Sequence, residues 1–164
     1  LAERLSANTL QKKEKCSNVQ YVRWGRFFVI VATRGEHEFF HLETGIRDVR
    51  EHPIRFAGYC VSFRQGVDRR FHVSVRIAPD EYLRLKAFFL GLACHRSIEG
   101  LVSEFSRIPF EPYAPVRRQL LNILRAVNRS RTTAGFEPVP VSAVRLRRRI
   151  VKPFVEASAE RKAA

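Results

Sequence analysis

At Ala78-Pro79 the sequence changes its period. Upstream, "RRFHVSVRI" (69–77) alternates, with Phe71, Val73, Val75 and Ile77 on one side and Arg70, His72, Ser74 and Arg76 on the other. A period of two belongs to a half-buried antiparallel strand, here with its cationic residues outward. Downstream, "APDEYLRLKAFFLGLA" (78–93) places Pro79 in a helical first turn, puts acids at 80 and 81, and repeats Tyr82, Leu85, Phe89 and Leu92 at helical spacing. Strands before this point and helices after it predict an α+β fold.

Before the switch, "RFFVIVAT" (26–33) is a continuous run of aromatic and β-branched residues. It reads as a strand buried on both faces. "RG" at 34–35 then supplies a turn, and "EHEFFHLE" (36–43) returns as the second arm of a hairpin, with Phe40 and Leu42 on one face and His37, Phe39 and His41 on the other. The segment 44–53 is a loop. "IRFAGYCVSFR" (54–64) is the third strand, and its apolar phase slips at Gly58, the signature of a β-bulge. Strand 69–77 is the fourth.

After the first helix, "SIEGLVSEF" (97–105) has Ser97 as N-cap and turns Ile98, Leu101, Val102 and Phe105 inward. A proline-rich connector follows. It is too long for a helix-turn-helix, which joins its helices through about three or four residues. "VRRQLLNILRAVNRSR" (116–131) is the clearest helix, with Val116, Leu120, Ile123, Leu124 and Val127 on one face. The expected architecture is a four-stranded antiparallel sheet of two hairpins, then three helices and a basic C-terminal extension. Residues 1–19 read as a polar, basic N-terminal arm. Residues 20–131 read as a single α+β domain. Residues 132–164 read as a proline-containing loop and an arginine-rich extension.

Charge narrows the function. The chain of 164 residues carries a formal charge of +14, with an isoelectric point near 10.8. The excess is uneven: residues 1–82 hold 14 Lys/Arg against 10 Asp/Glu, and residues 83–164 hold 16 against 6. Between Pro112 and Val155 there is one acid, Glu137. Such a field concentrates polyanions, and nucleic acid is the commonest of them, ahead of an anionic membrane surface.

The helix at 116–131 sets Arg118, Asn122, Arg125 and Arg129 on its polar side with no acid among them. Arginine forks match phosphate oxygens in pairs, and the amides of Asn122 and Asn128 are suited to base edges. Arg117 and Arg131 flank this row. A second cluster, "VRLRRRIVKPF" (144–154), adds Arg145, Arg147, Arg148, Arg149 and Lys152. The interleaved Val144, Leu146 and Ile150 suggest that this segment packs one edge on the domain. The two clusters are expected to form one patch for DNA or RNA, bound mainly through phosphates. An accessory or regulatory factor of replication or gene expression fits this expectation, as does a structural component of a ribonucleoprotein particle.

An enzyme is the competing reading. Cys60 or Cys94 with His41 or His72 could serve a cysteine hydrolase if the fold brought a thiol and an imidazole together. Glu36, Glu38, Glu43, Asp48 and Glu51 are the acids nearest in sequence for a carboxylate-dependent hydrolase, but none stands in a D-x-D or E-x-K arrangement. No phosphate-binding loop, dinucleotide fingerprint or Cys-x-x-Cys motif is present, so no cofactor or metal is expected. Three widely spaced cysteines suit a reducing, cytoplasmic setting. No stretch reaches the length of a transmembrane helix, and the N-terminal residues have no apolar signal core. The chain has no methionine and begins at Leu1, the pattern of a fragment or of a chain whose true start is missing.

Overall fold

The computed structural model describes residues 17–147. The chain divides into two compact units at Arg47–Asp48.

In the first unit, β1 (Val19–Trp24) and β2 (Phe27–Ala32) pair antiparallel along their whole length, from Val19 opposite Ala32 to Trp24 opposite Phe27. Gly25 and Arg26 make the loop between them. Gly25 has φ +58°, the sign that a two-residue hairpin loop needs at its first position. At the open end, Asn18 N–H donates to Thr33 Oγ1 at 2.8 Å and Thr33 N–H donates to the Asn18 carbonyl at 2.9 Å. A single helical turn, α1 (Phe39–Leu42), follows, and His37 Nδ1 accepts the Phe39 N–H at 3.0 Å.

The hairpin is therefore set on Gly25 and not on Arg34-Gly35, and the expected strand at 36–43 is mostly a helical turn. Two hexapeptides flank Gly25-Arg26 and pair residue for residue, which satisfies the backbone groups that face one another across the hairpin. Residues 38–43 satisfy theirs locally, with Leu42 N–H on Glu38 and Glu43 N–H on Phe39. Nor is the apolar run buried on both faces: Tyr21, Trp24 and Phe28 of this hairpin are each more than half exposed.

The second unit opens with a meander, β3 (Ile54–Phe56), β4 (Tyr59–Gln65) and β5 (Phe71–Ile77), in the order β3-β4-β5. The bulge expected at Gly58 is a turn. Ala57 at φ +48° and Gly58 at φ +77° join Phe56 to its partner Tyr59. Positive φ at both central residues is what a type I′ hairpin loop requires. The slip in apolar phase thus records a change of strand. A Cβ on Gly58 would lie 3.0 Å from the Phe110 ring, so conformation and close approach both select glycine there. The described residues hold five strands in two antiparallel sheets, followed by three longer helices: an α+β architecture.

Those helices are α2 (Pro79–Leu92), α3 (Ile98–Ser106) and α4 (Ala114–Thr133), each close to its expected span. Ser97 caps α3 as predicted, its Oγ accepting the Gly100 N–H at 3.2 Å. Helix α4 is the spine of the unit. Its Val116, Leu120, Ile123, Leu124 and Val127 are all buried, and the helix lies against both β5 and α2. Each such side chain contributes roughly 1.5–3 kcal/mol by leaving water. Phe89 of α2 stacks on Phe105 of α3 with centroids 4.0 Å apart, while Tyr82, Leu85 and Leu92 pack around this centre partly buried. Gly135, at φ +80°, ends α4: Phe136 N–H returns to the Arg131 carbonyl and Gly135 N–H to that of Thr132, the pattern of a Schellman cap.

Side-chain amides fasten α4 at two points. Gln119 exchanges two hydrogen bonds with the backbone of Ile77, at 2.8 and 3.1 Å. Asn128 does the same with Val139, at 2.8 and 2.9 Å. The clamp on Ile77 holds the helix over one end of β5, and there Val75 and Ile77 turn inward as expected. Phe71 and Val73, expected to face inward as well, are 45% and 69% exposed at the other end of the strand. Strand alternation assigns a face, but burial also needs something to cover it. On the opposite face of the sheet the cross-strand neighbours Ser62 and Ser74 are buried, and their hydroxyls accept Arg64 Nε at 3.2 Å and Arg76 Nε at 3.3 Å.

Candidate nucleic-acid interface

Helix α4 contains five arginines and no acid. Helical geometry advances about 100° per residue, so Arg118, Arg125 and Arg129 fall within about 40° of one another around the axis, over about 16 Å of length. All three are exposed, as is Asn122. Asn122 Oδ1 accepts Arg125 Nη1 at 2.9 Å, which steadies that guanidinium and takes up the amide oxygen. Arg118 and Arg129 have no ion pair among the described residues.

Arg131 is different. It is 3% exposed and points inward. Its Nη1 donates to the carbonyls of Ala93 at 2.6 Å and Arg96 at 3.0 Å, and its Nε to that of Glu137 at 2.7 Å. The Phe136 ring lies 5.4 Å from its carbon Cζ. The guanidinium sits at the C-terminal end of α2, where unsatisfied carbonyls and the helix dipole both favour a cation. Asn128 is also committed inward, through its clamp on Val139.

The second cluster meets the first at the N-terminal end of α4. After a 3-10 turn at Val141–Ala143, Val144 is buried and Leu146 packs against the core, which holds this stretch on the unit as expected. Arg117 Nη1 donates to the Leu146 carbonyl at 3.4 Å. Arg145 ion-pairs with Glu111 at 2.7 Å and reaches the Phe110 carbonyl at 3.5 Å. Arg147 is exposed. Arg117, Arg118, Arg145 and Arg147 therefore gather near the positive end of a 20-residue helix dipole. Arg148, Arg149 and Lys152 lie outside the described residues.

Sheet register adds basic side chains that the reading of single strands did not join. Arg55, Arg64, His72 and Arg76 share the face opposite α4: Arg55 pairs with Cys60, Cys60 with Arg76, and Arg64 with His72. Alternation in β5 marked His72 and Arg76. Arg55 and Arg64 joined them only once the register of β3 and β4 was fixed by the turn at Gly58. Two of the four are paired to acids, Arg55 with Asp80 at 3.2 Å and His72 with Asp68 at 2.9 Å. The hydrogen bond from His72 holds the Asp68 carboxyl below the usual carboxylate range, helped by the Arg70 N–H.

Within the second unit, neither Cys60 nor Cys94 is paired with His72. Cys60 and His72 share a sheet face, but His72 lies four residues along β5 from the Arg76 that faces Cys60. That is roughly 13 Å, far beyond proton transfer. Cys94 Sγ has Ser130 as its polar neighbour, 3.9 Å from the carbonyl and 3.8 Å from Oγ. It opens on a shallow groove of about 530 Å³, lined also by Ala126, Arg129, Thr133 and Ala134, and no imidazole is present there. Among the described residues, no three His, Cys, Asp or Glu side chains are grouped as metal ligands, and no helix is long and apolar enough to cross a membrane.

Set against protein-family models, curated proteins and solved structures, the chain matches none.

Proposed function

We propose that this protein binds nucleic acid, mainly through phosphates. The observation that carries the reading is helix α4: one face is buried core, and the other is an exposed row of Arg118, Arg125 and Arg129 without an acid. An ordinary solvated helix face mixes both signs, because pairs spaced four apart stabilise it. A row of one sign repels itself and is relieved by a polyanion. Arg117 and Arg147 extend the row at one end, beside an Arg145 already paired with Glu111, and Arg148, Arg149 and Lys152 are its proposed continuation. Arg131 is left out of this surface, since its donors are spent on carbonyls. An accessory factor of replication or gene expression, or a component of a ribonucleoprotein particle, would use such a surface to hold a phosphate backbone.

The test is a titration of duplex DNA and RNA at several salt concentrations. Replacing Arg118, Arg125 and Arg129 together by alanine should weaken binding and flatten the dependence of log affinity on log salt. On duplex DNA the slope should fall by about 0.9 for each phosphate that is no longer neutralised. The thermal transition should persist, because these side chains face solvent. Unchanged affinity and slope in a folded variant would remove this face from the interface.

A further inference from the structure

Beyond the phosphate-binding face, we propose that the far end of the β4–β5 hairpin is a stacking platform for unpaired bases of a single strand. Phe63 and Phe71 lie diagonally across this hairpin, since Phe63 faces Val73 and Phe71 faces Gln65. Their rings are stacked, with centroids 5.6 Å apart and planes 20° from parallel. They are nonetheless 38% and 45% exposed, beside a Val73 that is 69% exposed. The Arg50 guanidinium stands 5.8 Å from the Phe71 centroid and is held by both oxygens of Asp48. Two aromatic planes and a guanidinium thus form a partly open stack to which a further planar group can add.

The loop beyond the rings is built to present cations. Gly66 N–H donates to the Arg70 carbonyl at 2.7 Å and Gln65 Nε2 to the Arg69 carbonyl at 2.8 Å, so the turn is fixed while Arg69 and Arg70 reach outward. The acids that flank these cations in sequence are Asp48 and Glu51 beside Arg50, and Asp68 beside Arg69. Asp48 is bound to Arg50. Asp68 is bound to His72 and to the Arg70 N–H at 3.1 Å. Cations beside an aromatic face complement a strand that carries both phosphates and bases.

Size decides between a base and a protein partner. A phenylalanine offers roughly 150–250 Å² in all, so the exposed parts of two rings and a valine come to a few hundred Å² at most. A stable protein interface takes about 800 Å² from each side. One or two bases need only a ring face each.

The proposal rests on the nucleic-acid reading, and the experiment separates the two. Fluorescence anisotropy of labelled dT15, rU15 and a 15-base-pair DNA duplex would be followed with the full chain, the Phe63→Leu/Phe71→Leu variant and the Phe63→Tyr/Phe71→Tyr variant. The leucine variant should bind single strands about 5- to 150-fold more weakly, the range of one stacked base. Its salt slope and its duplex affinity should not change. The tyrosine variant should keep the wild-type affinity, because it keeps the ring. A loss on dT15 alone, on rU15 alone or on both identifies the strand chemistry. Should the leucine variant fail to fold, Arg69→Ser/Arg70→Ser gives the second readout, a single-strand salt slope lower by about 0.7 per phosphate released. Wild-type protein that binds no nucleic acid overturns both readings. Wild-type binding with an unaltered leucine variant, or an equal loss on duplex, overturns the platform alone. So does a dimer that the leucine variant abolishes, which would assign the rings to a second copy.

Discussion

Arg129 and Arg131 stand two residues apart on α4 and meet opposite fates. Arg129 projects from the outer face with Arg118 and Arg125. Arg131 points inward, closing the end of α2 with two hydrogen bonds and holding the Glu137 carbonyl with a third. Two residues turn a helix by about 200°, so neighbours of one chemical type are sent to opposite sides of the cylinder. The lesson is that a count of arginines overstates a binding surface. Phase around the axis decides which cations face solvent and which ones hold the fold together.

The largest effect is expected from Arg131→Ala. The change strands three carbonyls that Arg131 now satisfies, and should cost about 3 kcal/mol in urea unfolding. Arg131→Lys should recover little of this, because one ammonium cannot reproduce the guanidinium fork. Nucleic-acid affinity per folded molecule should hold. A wild-type unfolding midpoint in the alanine variant would show that the inward arginine is dispensable.

A smaller effect distinguishes inner from outer polar groups by pH. Tyr59 lies between Phe110 and Tyr113, and its hydroxyl oxygen accepts the Glu111 N–H at 2.6 Å. Burial raises its pKa, although that hydrogen bond pulls the other way. A raised folded value means that the neutral phenol stabilises the fold. The contribution is complete below the ordinary tyrosine value of about 10 and is lost as pH rises through the folded value. Tyr59→Phe should therefore show a weaker alkaline loss of stability than wild type. Parallel alkaline curves would refute this. Asp68, at the exposed hairpin loop, has the reverse sign: its lowered value gives stability that is present above about pH 4 and lost on acidification.

Arg129→Ala should change stability by no more than about 0.5 kcal/mol, as surface substitutions do. A cost comparable to that of Arg131→Ala would erase the distinction between the two positions.

The helical half of the fold was legible because each helix repeats its apolar residues over several turns, and Pro79, Ser97 and the core stripe of α4 mark their own positions. The strands were harder. "RFFVIVAT" names a strand but not its partner, and pairing hung on whether Gly25 or Gly35 made the turn. Gly58 raised the same difficulty, since a bulge and a two-residue turn both shift apolar phase by one. In the candidate site, Arg118, Arg125 and Arg129 could be placed by helical arithmetic alone. The inward course of Arg131 was open to that arithmetic as well: it falls about 40° from Val127 and on the buried side. The exposure of Phe63 and Phe71 could not be read from alternation, because no local signal states how far α4 reaches along β5.

The amide clamp between Gln119 and Ile77 has a consequence for synthesis on the ribosome. The meander is made of adjacent hairpins and has all its strand partners once Ile77 has emerged. The helix that shields Ile77 is complete only at Thr133. At about 5–20 residues per second, the nascent sheet waits roughly 3 to 11 seconds with that apolar end uncovered. During that interval, an unfinished chain presents to chaperones and to neighbouring nascent chains a surface that the finished protein keeps to itself.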